Sequence, residues 1–265
     1  TFETRTELTV LPVTAEAFYK RPLSEEERND FAAVVPGLQS VYRLTSLPTP
    51  YVTTPIFVDG APDADGFDLM MQTVDRSLWL ALLAPKAPTR ELQPALVEQI
   101  RATLGRNASG GQQVLSVGVM PSITIPALFD EIGPRARIPH VWEIGTVDER
   151  GEPDYLTLDV AADTTVDLTR SGVVRVVLPA GSRIRVPSND VRANLKAGVG
   201  DAPPRLDQAD LAARLVAWIR IRPTVKSLQR LALSWVGINA AEIDQRKTLT
   251  NRVIAHSAGT ADQEY

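Results

Sequence analysis

Seven consecutive apolar residues, Leu78-Trp79-Leu80-Ala81-Leu82-Leu83-Ala84, lie between Ser77 and Pro85. They constrain the fold more than any other stretch of the chain. The run is too short for a core helix and carries the β-favouring Trp79, so it reads as a strand. Successive strand side chains point to opposite faces, and a strand with no polar face must be covered on both. The chain therefore has to build a sheet with one layer above this strand and another below it.

The remaining sequence is cut into short apolar runs by 20 prolines and 16 glycines. Phe2 to Val13 alternates as a strand would. Ser24-Glu25-Glu26-Glu27 fits a capping box, with Phe31, Val34 and Val35 as the apolar face of a short helix that Pro36-Gly37 should end. Turn-rich segments, Leu47 to Pro55 and Asp59 to Gly66, lead into Phe67 to Ala84, read as two strands or one long bent strand. Thr89 to Leu104 carries Leu92, Leu96, Ile100 and Leu104 at helical spacing, with Thr89 as cap and Gly105 as stop. Val114 to Met120 alternates as a strand. Further strands are expected at His140 to Thr146, Tyr155 to Val160, Gly172 to Leu178, Ser182 to Val186, Ala213 to Arg222 and Leu231 to Ile238. This pattern predicts a mostly β fold with some α (α+β): a β-sandwich-like domain decorated by two or three helices, with an extended C-terminal tail. Along the chain, the expectation is an α+β region over 1–135, a β-rich sandwich-like region over 136–238, and a connector over 239–265 to a following domain or partner. Thr1 in place of an initiator Met suggests an excised fragment of a longer protein.

Composition narrows the function classes. The formal net charge is -4, which draws the surface toward neither nucleic acid nor anionic lipid. No apolar run reaches the roughly 20 residues a membrane helix needs. Cysteine is absent, which removes disulfides, thiolate metal sites and thiol nucleophiles. Arginine outnumbers lysine but is scattered, which reads as genome composition and not as contact patches.

Chemistry-bearing constellations are sparse. His140 and His256 have no second ligand at metal spacing. Ser171 lacks the framing of a nucleophile elbow, and Gly105, Gly110 and Gly111 lack the Lys-Ser/Thr of a phosphate loop. Asp63-Ala64-Asp65-Gly66, with Asp59 and Asp68 nearby, resembles part of a calcium loop without its closing Glu, and a turn is the better reading. Asp148-Glu149 and Glu152-Asp154 could be posed as a glycosidase pair, but they flank Gly151 as a solvated turn would. Asn107-Ala108-Ser109 is a glycosylation sequon in form only. Trp79, Trp142, Trp218 and Trp235 could form a sugar-stacking platform, though apolar flanks favour core packing. No residue is assigned a catalytic, cofactor-binding or metal role; no cofactor is expected, and the chain is read as a non-enzyme.

One stretch is more telling. Asp163-Thr164-Thr165-Val166-Asp167-Leu168-Thr169-Arg170-Ser171-Gly172-Val173-Val174-Arg175-Val176-Val177-Leu178-Pro179 resembles a "D-x-T-x-x-L-T-x-S-G-x-V-x-F-x-x-P" strand, with Val176 where the pattern carries an aromatic. It follows a Trp-led strand, His140-Val141-Trp142-Glu143, and precedes a "W-x-R-x-R" strand, Ala217-Trp218-Ile219-Arg220-Ile221-Arg222. Asn239-Ala240-Ala241 and Gly259-Thr260-Ala261-Asp262-Gln263 are similar to the closing elements of the same pattern. Together these resemble the J-like baseplate assembly proteins of tailed phages and of extracellular contractile injection systems, over roughly Val141 to Tyr265. The resemblance implies a structural wedge component. Its partners would be other baseplate subunits, spike or hub and sheath-proximal proteins, in a multi-copy symmetric assembly without nucleic acid or membrane insertion. It would be cytoplasmic during assembly and then part of the particle. The alternatives are a carbohydrate-binding sandwich on such a particle and a cell-wall glycosidase.

Overall fold

The computed structural model describes residues 2–4, 10–43, 45, 50–63, 65–106, 111–122, 137–189, 198–224 and 231–245. The strands are β1 (Phe2–Thr4), β2 (Thr14–Arg21), β3 (Val52–Ile56), β4 (Phe67–Asp68), β5 (Leu78–Leu83), β6 (Val114–Pro121), β7 (His140–Val147), β8 (Pro153–Thr157), β9 (Val160–Asp163), β10 (Gly172–Val177), β11 (Leu215–Pro223), β12 (Ala232–Ile238) and β13 (Ile243–Gln245). The helices are α1 (Glu25–Tyr42), α2 (Gln93–Thr103) and α3 (Ala209–Arg214). Two large antiparallel sheets result, a six-stranded one ordered β3-β2-β5-β11-β7-β8 and a five-stranded one ordered β4-β12-β6-β10-β9, beside a two-stranded pair β1-β13. The fold is the expected mostly β, sandwich-like α+β arrangement.

The core lies between the sheets. Leu78, Leu80 and Leu82 of β5 and Ile144, Ile219 and Ile221 of its neighbours cluster with Leu115, Val117, Val119, Val174, Val176 and Leu233 of the other sheet. On the opposite face of β5, Trp79, Ala81 and Leu83 pack with Phe18, Leu206, Leu211, Leu215 and Trp218. β5 is thus the doubly covered strand that its sequence demands, and all six of its residues are buried. The second cover comes from α3 and the segment 198–206.

The regions 1–135 and 136–238 interleave. β2, β3 and β5 lie in one sheet with β7, β8 and β11, and β6 lies between β12 and β10. They share one core, because antiparallel neighbours need not be adjacent in sequence. Residues 239–245 also return to the fold. β13 pairs with β1, and the Asn239 side chain accepts from Leu11 N–H and donates to the Leu11 and Val13 carbonyls. The remainder of the expected connector, 246–265, lies outside the described residues.

Several local expectations are corrected. Within Phe2 to Val13 the described residues are strand at Phe2–Thr4 and not at 10–13, 5–9 lie outside the described residues, and β2 follows unannounced. The capping box at Ser24 and Glu27 forms, but the helix runs straight through Pro36-Gly37. Proline removes one N–H and frees the carbonyl four residues back, here that of exposed Ala32, which water can satisfy. α2 starts at Gln93, one turn later than expected, with Pro94 in its first turn; Thr89 is the N-cap residue of a 3-10 turn, Arg90–Leu92, that leads into it, without a capping side-chain hydrogen bond. Ser182 to Val186 is not a strand: a 3-10 turn, Gly181–Arg183, occupies its start. A Cβ on Gly181 would lie 1.9 Å from the Arg101 carbonyl oxygen, so the turn passes against the α2 backbone. Ala213 to Arg222 begins as the last residues of α3 and becomes β11 only at Leu215.

Candidate functional site

Sheet register places a row of unusual side chains on the outer face of the six-stranded sheet. Phe18 of β2 lies opposite Trp79 of β5, Trp79 opposite Arg220 of β11, and Arg220 opposite Glu143 of β7. Alternation brings Lys20 and Arg222 to the same face, and Tyr155 of β8 stands beside them. The segment 198–206 closes over this row.

Lys20 is fully buried. Its Nζ donates to the carbonyls of Gly200 at 2.7 Å and Ala202 at 2.8 Å, and pairs with Asp75 Oδ2 at 2.8 Å. Asp75 Oδ2 also accepts from Trp79 Nε1–H at 3.0 Å. Arg220, 3% exposed, donates through Nε to Glu143 Oε2 at 2.7 Å and through Nη1 to Asp201. Its guanidinium lies 3.6 Å from the Tyr155 ring centroid and 5.2 Å from that of Trp79. Arg222 Nη2 completes the group, donating to Glu143 Oε1 at 3.0 Å. Tyr155 O–H donates to the Asp201 carbonyl, and Asn189 brackets Leu206 with two hydrogen bonds.

Burial makes these charges costly unless every one is paired. Burial lowers the Lys20 pKa, against the opposing pull of Asp75. Burial raises the Tyr155 phenol, with Arg220 opposing. For Glu143 burial pushes the carboxyl up, but Arg222 and Arg220 more than offset it and hold it below its ordinary 4.5. Chemically the cluster is a fastener. Its cations are used up on carboxylates, carbonyls and ring faces, and together they hold 198–206 on the sheet.

A pH dependence follows from Glu143. Its folded pKa is depressed, so below about 4.5 the unfolded chain binds more protons and stability falls with falling pH. The contribution is complete above the ordinary glutamate range and is lost as pH drops through the folded value. Urea titrations at a series of acidic pH values should show a shallower decline for Glu143→Gln than for the parent chain; equal slopes would contradict the assignment.

The stretch Asp163 to Gly172 forms a second unusual element between β9 and β10. Val166, Asp167 and Leu168 all adopt left-handed φ, at 54°, 56° and 62°. Each such residue costs about 1–2 kcal/mol, so the turn exists only because side chains impose it. Asp163 accepts from Thr165 N–H at 2.7 Å, Thr165 O–H at 2.5 Å and Asp167 N–H at 2.8 Å. Buried Thr165 then accepts from Leu168 N–H at 2.9 Å, and Leu168 drops into the core. Thr164 ties the turn to the C-terminal segment through Glu242 at 2.5 Å. Asp163→Ala would strand three donors and should cost about 1–3 kcal/mol in chemical denaturation; a loss within error would show that the turn does not need the carboxylate.

A third feature is an open groove of about 590 Å³ at the C-terminal end of α2. Glu98, Arg106, Ser182 and Arg185 line it together with Ala102, Val147 and Ile184. Arg101, beneath them, is tied to the Val216 and Leu215 carbonyls and to Glu98.

The sequence candidates are dispersed. His140 Nδ1 sits 2.9 Å from the Ile138 carbonyl, and His256 lies outside the described residues, as do Asn107, Ala108, Ser109 and Gly110. Asp63 accepts from the N–H groups of Asp65 and Gly66, a turn as read, and no cluster of metal ligands occurs among the described residues. Asp148 accepts from Arg150 and Glu152 N–H in the exposed β7–β8 turn. Gly105 ends α2 with a left-handed φ of 78°. Trp79, Trp142 and Trp218 are buried and Trp235 packs over Gly118 and Gly237, so the indoles form no platform. No helix among the described residues is long and apolar enough to cross a membrane. The Lys20, Asp75 and Tyr155 contributions went unforeseen; the signal available was a charged Lys20 at alternate spacing from Phe18 on one strand face. No family model, curated protein or solved structure matches the chain.

Proposed function

We propose that the chain is a structural wedge component of a phage-tail or contractile-injection baseplate, working through protein–protein contacts and not as an enzyme. The observation that supports this reading most is where the family-like residues act. Glu143, Arg220 and Arg222 fasten the outer face, and Asp163, Thr165 and Leu168 impose the left-handed turn. These residues stiffen a scaffold and present no reacting group to solvent. A part that transmits load between neighbours needs such stiffness, and it needs outward-facing surfaces as well.

The test is incorporation. In cells assembling the particle, a tagged copy of the chain should purify with spike and sheath proteins, and deletion of its gene should stop baseplate formation. Normal particles formed without it would refute the reading.

A further inference from the structure

Arg175 of β10 stands on the outer face of the five-stranded sheet without a counter-charge. Val174 and Val176 point into the core, so alternation turns Arg175 the other way. Its cross-strand neighbours there are Ser116 of β6 and Ala162 of β9, both short and uncharged. The residue is half-buried, its Nε is fully so and has no hydrogen-bond partner, and no ion pair reaches the side chain among the described residues. The carboxylates at this end of the sheet are committed elsewhere, Asp163 to Thr165 and Asp167, and Glu242 to Thr164.

The surroundings of Arg175 are apolar. Val173 and Val177 flank it on its own strand, Val114 lies opposite Val177, and Met120 of β6, 42% exposed, stands on the same face. The segment 239–242 crosses the sheet beside it, with Ala240 N–H donating to the Ser116 carbonyl and Glu242 reaching Thr164. A donor shut off from water and left unmatched is unfavourable in the free chain. Interfaces are enriched in arginine, and a charge desolvated there favours the one neighbour that matches it. We propose that this face binds another protein of the assembly through a carboxylate, an Asp or Glu side chain, that seats on Arg175. A single guanidinium matches one carboxylate in charge and in the planar fork of its N–H groups. A two-fold contact between copies of the chain would instead set Arg175 against Arg175. The inference rests on the assembly role proposed above and gives the chemistry of one of its contacts.

The full chain tests it in isolation and in the particle. In urea denaturation of the monomer, Arg175→Met should unfold at the same urea concentration as the parent or a higher one, because it removes an unmatched donor and keeps an apolar stem. A lower midpoint would show that Arg175 is matched within its own chain and would overturn the inference. In cells assembling the particle, tagged Arg175→Met competing with untagged parent should enter particles about tenfold less often than its share of the lysate. Arg175→Lys, which keeps the charge without the fork, should fall between the two, and equal incorporation of Arg175→Met and parent would sink the contact. Suppressors of Arg175→Glu, selected for restored particles, should exchange an Asp or Glu of another particle protein for Lys or Arg. Suppressors confined to this chain would put the counter-charge in the chain itself or in a second copy, against the proposal. The parent's own incorporation is a separate readout: a parent absent from particles sinks the assembly role and this contact with it, whereas a parent that Arg175→Met matches sinks this contact alone.

Discussion

Arg220→Met should lower the unfolding free energy by about 3–5 kcal/mol, the usual cost of breaking a buried ion pair from one side. The guanidinium is 3% exposed and satisfies Glu143, Asp201 and two aromatic faces at once. Met fills much of the same space, so the loss is of charge and hydrogen bonds and not of volume. Glu143 would keep Arg222 alone, on a side chain only 8% exposed. Arg222→Met should cost much less, about 1 kcal/mol or below, because Arg222 is 37% exposed and water replaces it. Urea denaturation of both variants, and of each combined with Glu143→Gln, gives the coupling directly. If Arg220→Met proved no worse than Arg222→Met, the buried pair would not be the fastener.

How far this arrangement was legible depends on the range of each interaction. β5 declared itself, since an unbroken apolar run leaves a strand no solvent face. The capping box was legible because its hydrogen bonds span three residues. β2 was not: Thr14-Ala15-Glu16-Ala17-Phe18-Tyr19-Lys20-Arg21 has modest strand propensity, and its state is decided by pairing with β5 and β3. The end of α1 was misplaced because Pro36 is tolerated where the freed carbonyl meets water. Arg220 and Arg222 were visible as a motif, and the scatter of arginines along the sequence hid what register does with them. Positions 143, 201 and 220 meet only after β7 and β11 pair and 198–206 folds back. No local pattern encodes such a meeting. The left-handed turn shows the opposite case, since Asp163, Thr165 and Leu168 are close in sequence and their spacing is the structure.

Lys20→Met should be nearly as damaging to stability as Arg220→Met and more damaging to one segment. Lys20 donates to three acceptors at 2.7–2.8 Å, the carbonyls of Gly200 and Ala202 and the carboxylate of Asp75. A neutral amine has two N–H groups and cannot serve all three, so the arrangement is that of an ammonium despite the burial that lowers its pKa. Removing it strands the buried Ala202 carbonyl, frees that of the more exposed Gly200, and leaves Asp75 with Trp79 Nε1–H and Ser77 N–H. The expected loss is about 3 kcal/mol, at the lower end for a broken buried pair because Asp75 retains those donors. The local effect is the sharper test. Amide exchange over 198–206 should accelerate far more than exchange in β5 or β11, because the segment loses its anchor while the strands keep theirs. Adding Asp75→Asn should recover part of the loss, since the stranded charge is then gone. Uniform acceleration across the sheet would mean that Lys20 supports the whole fold and is not the pin of its outer cover.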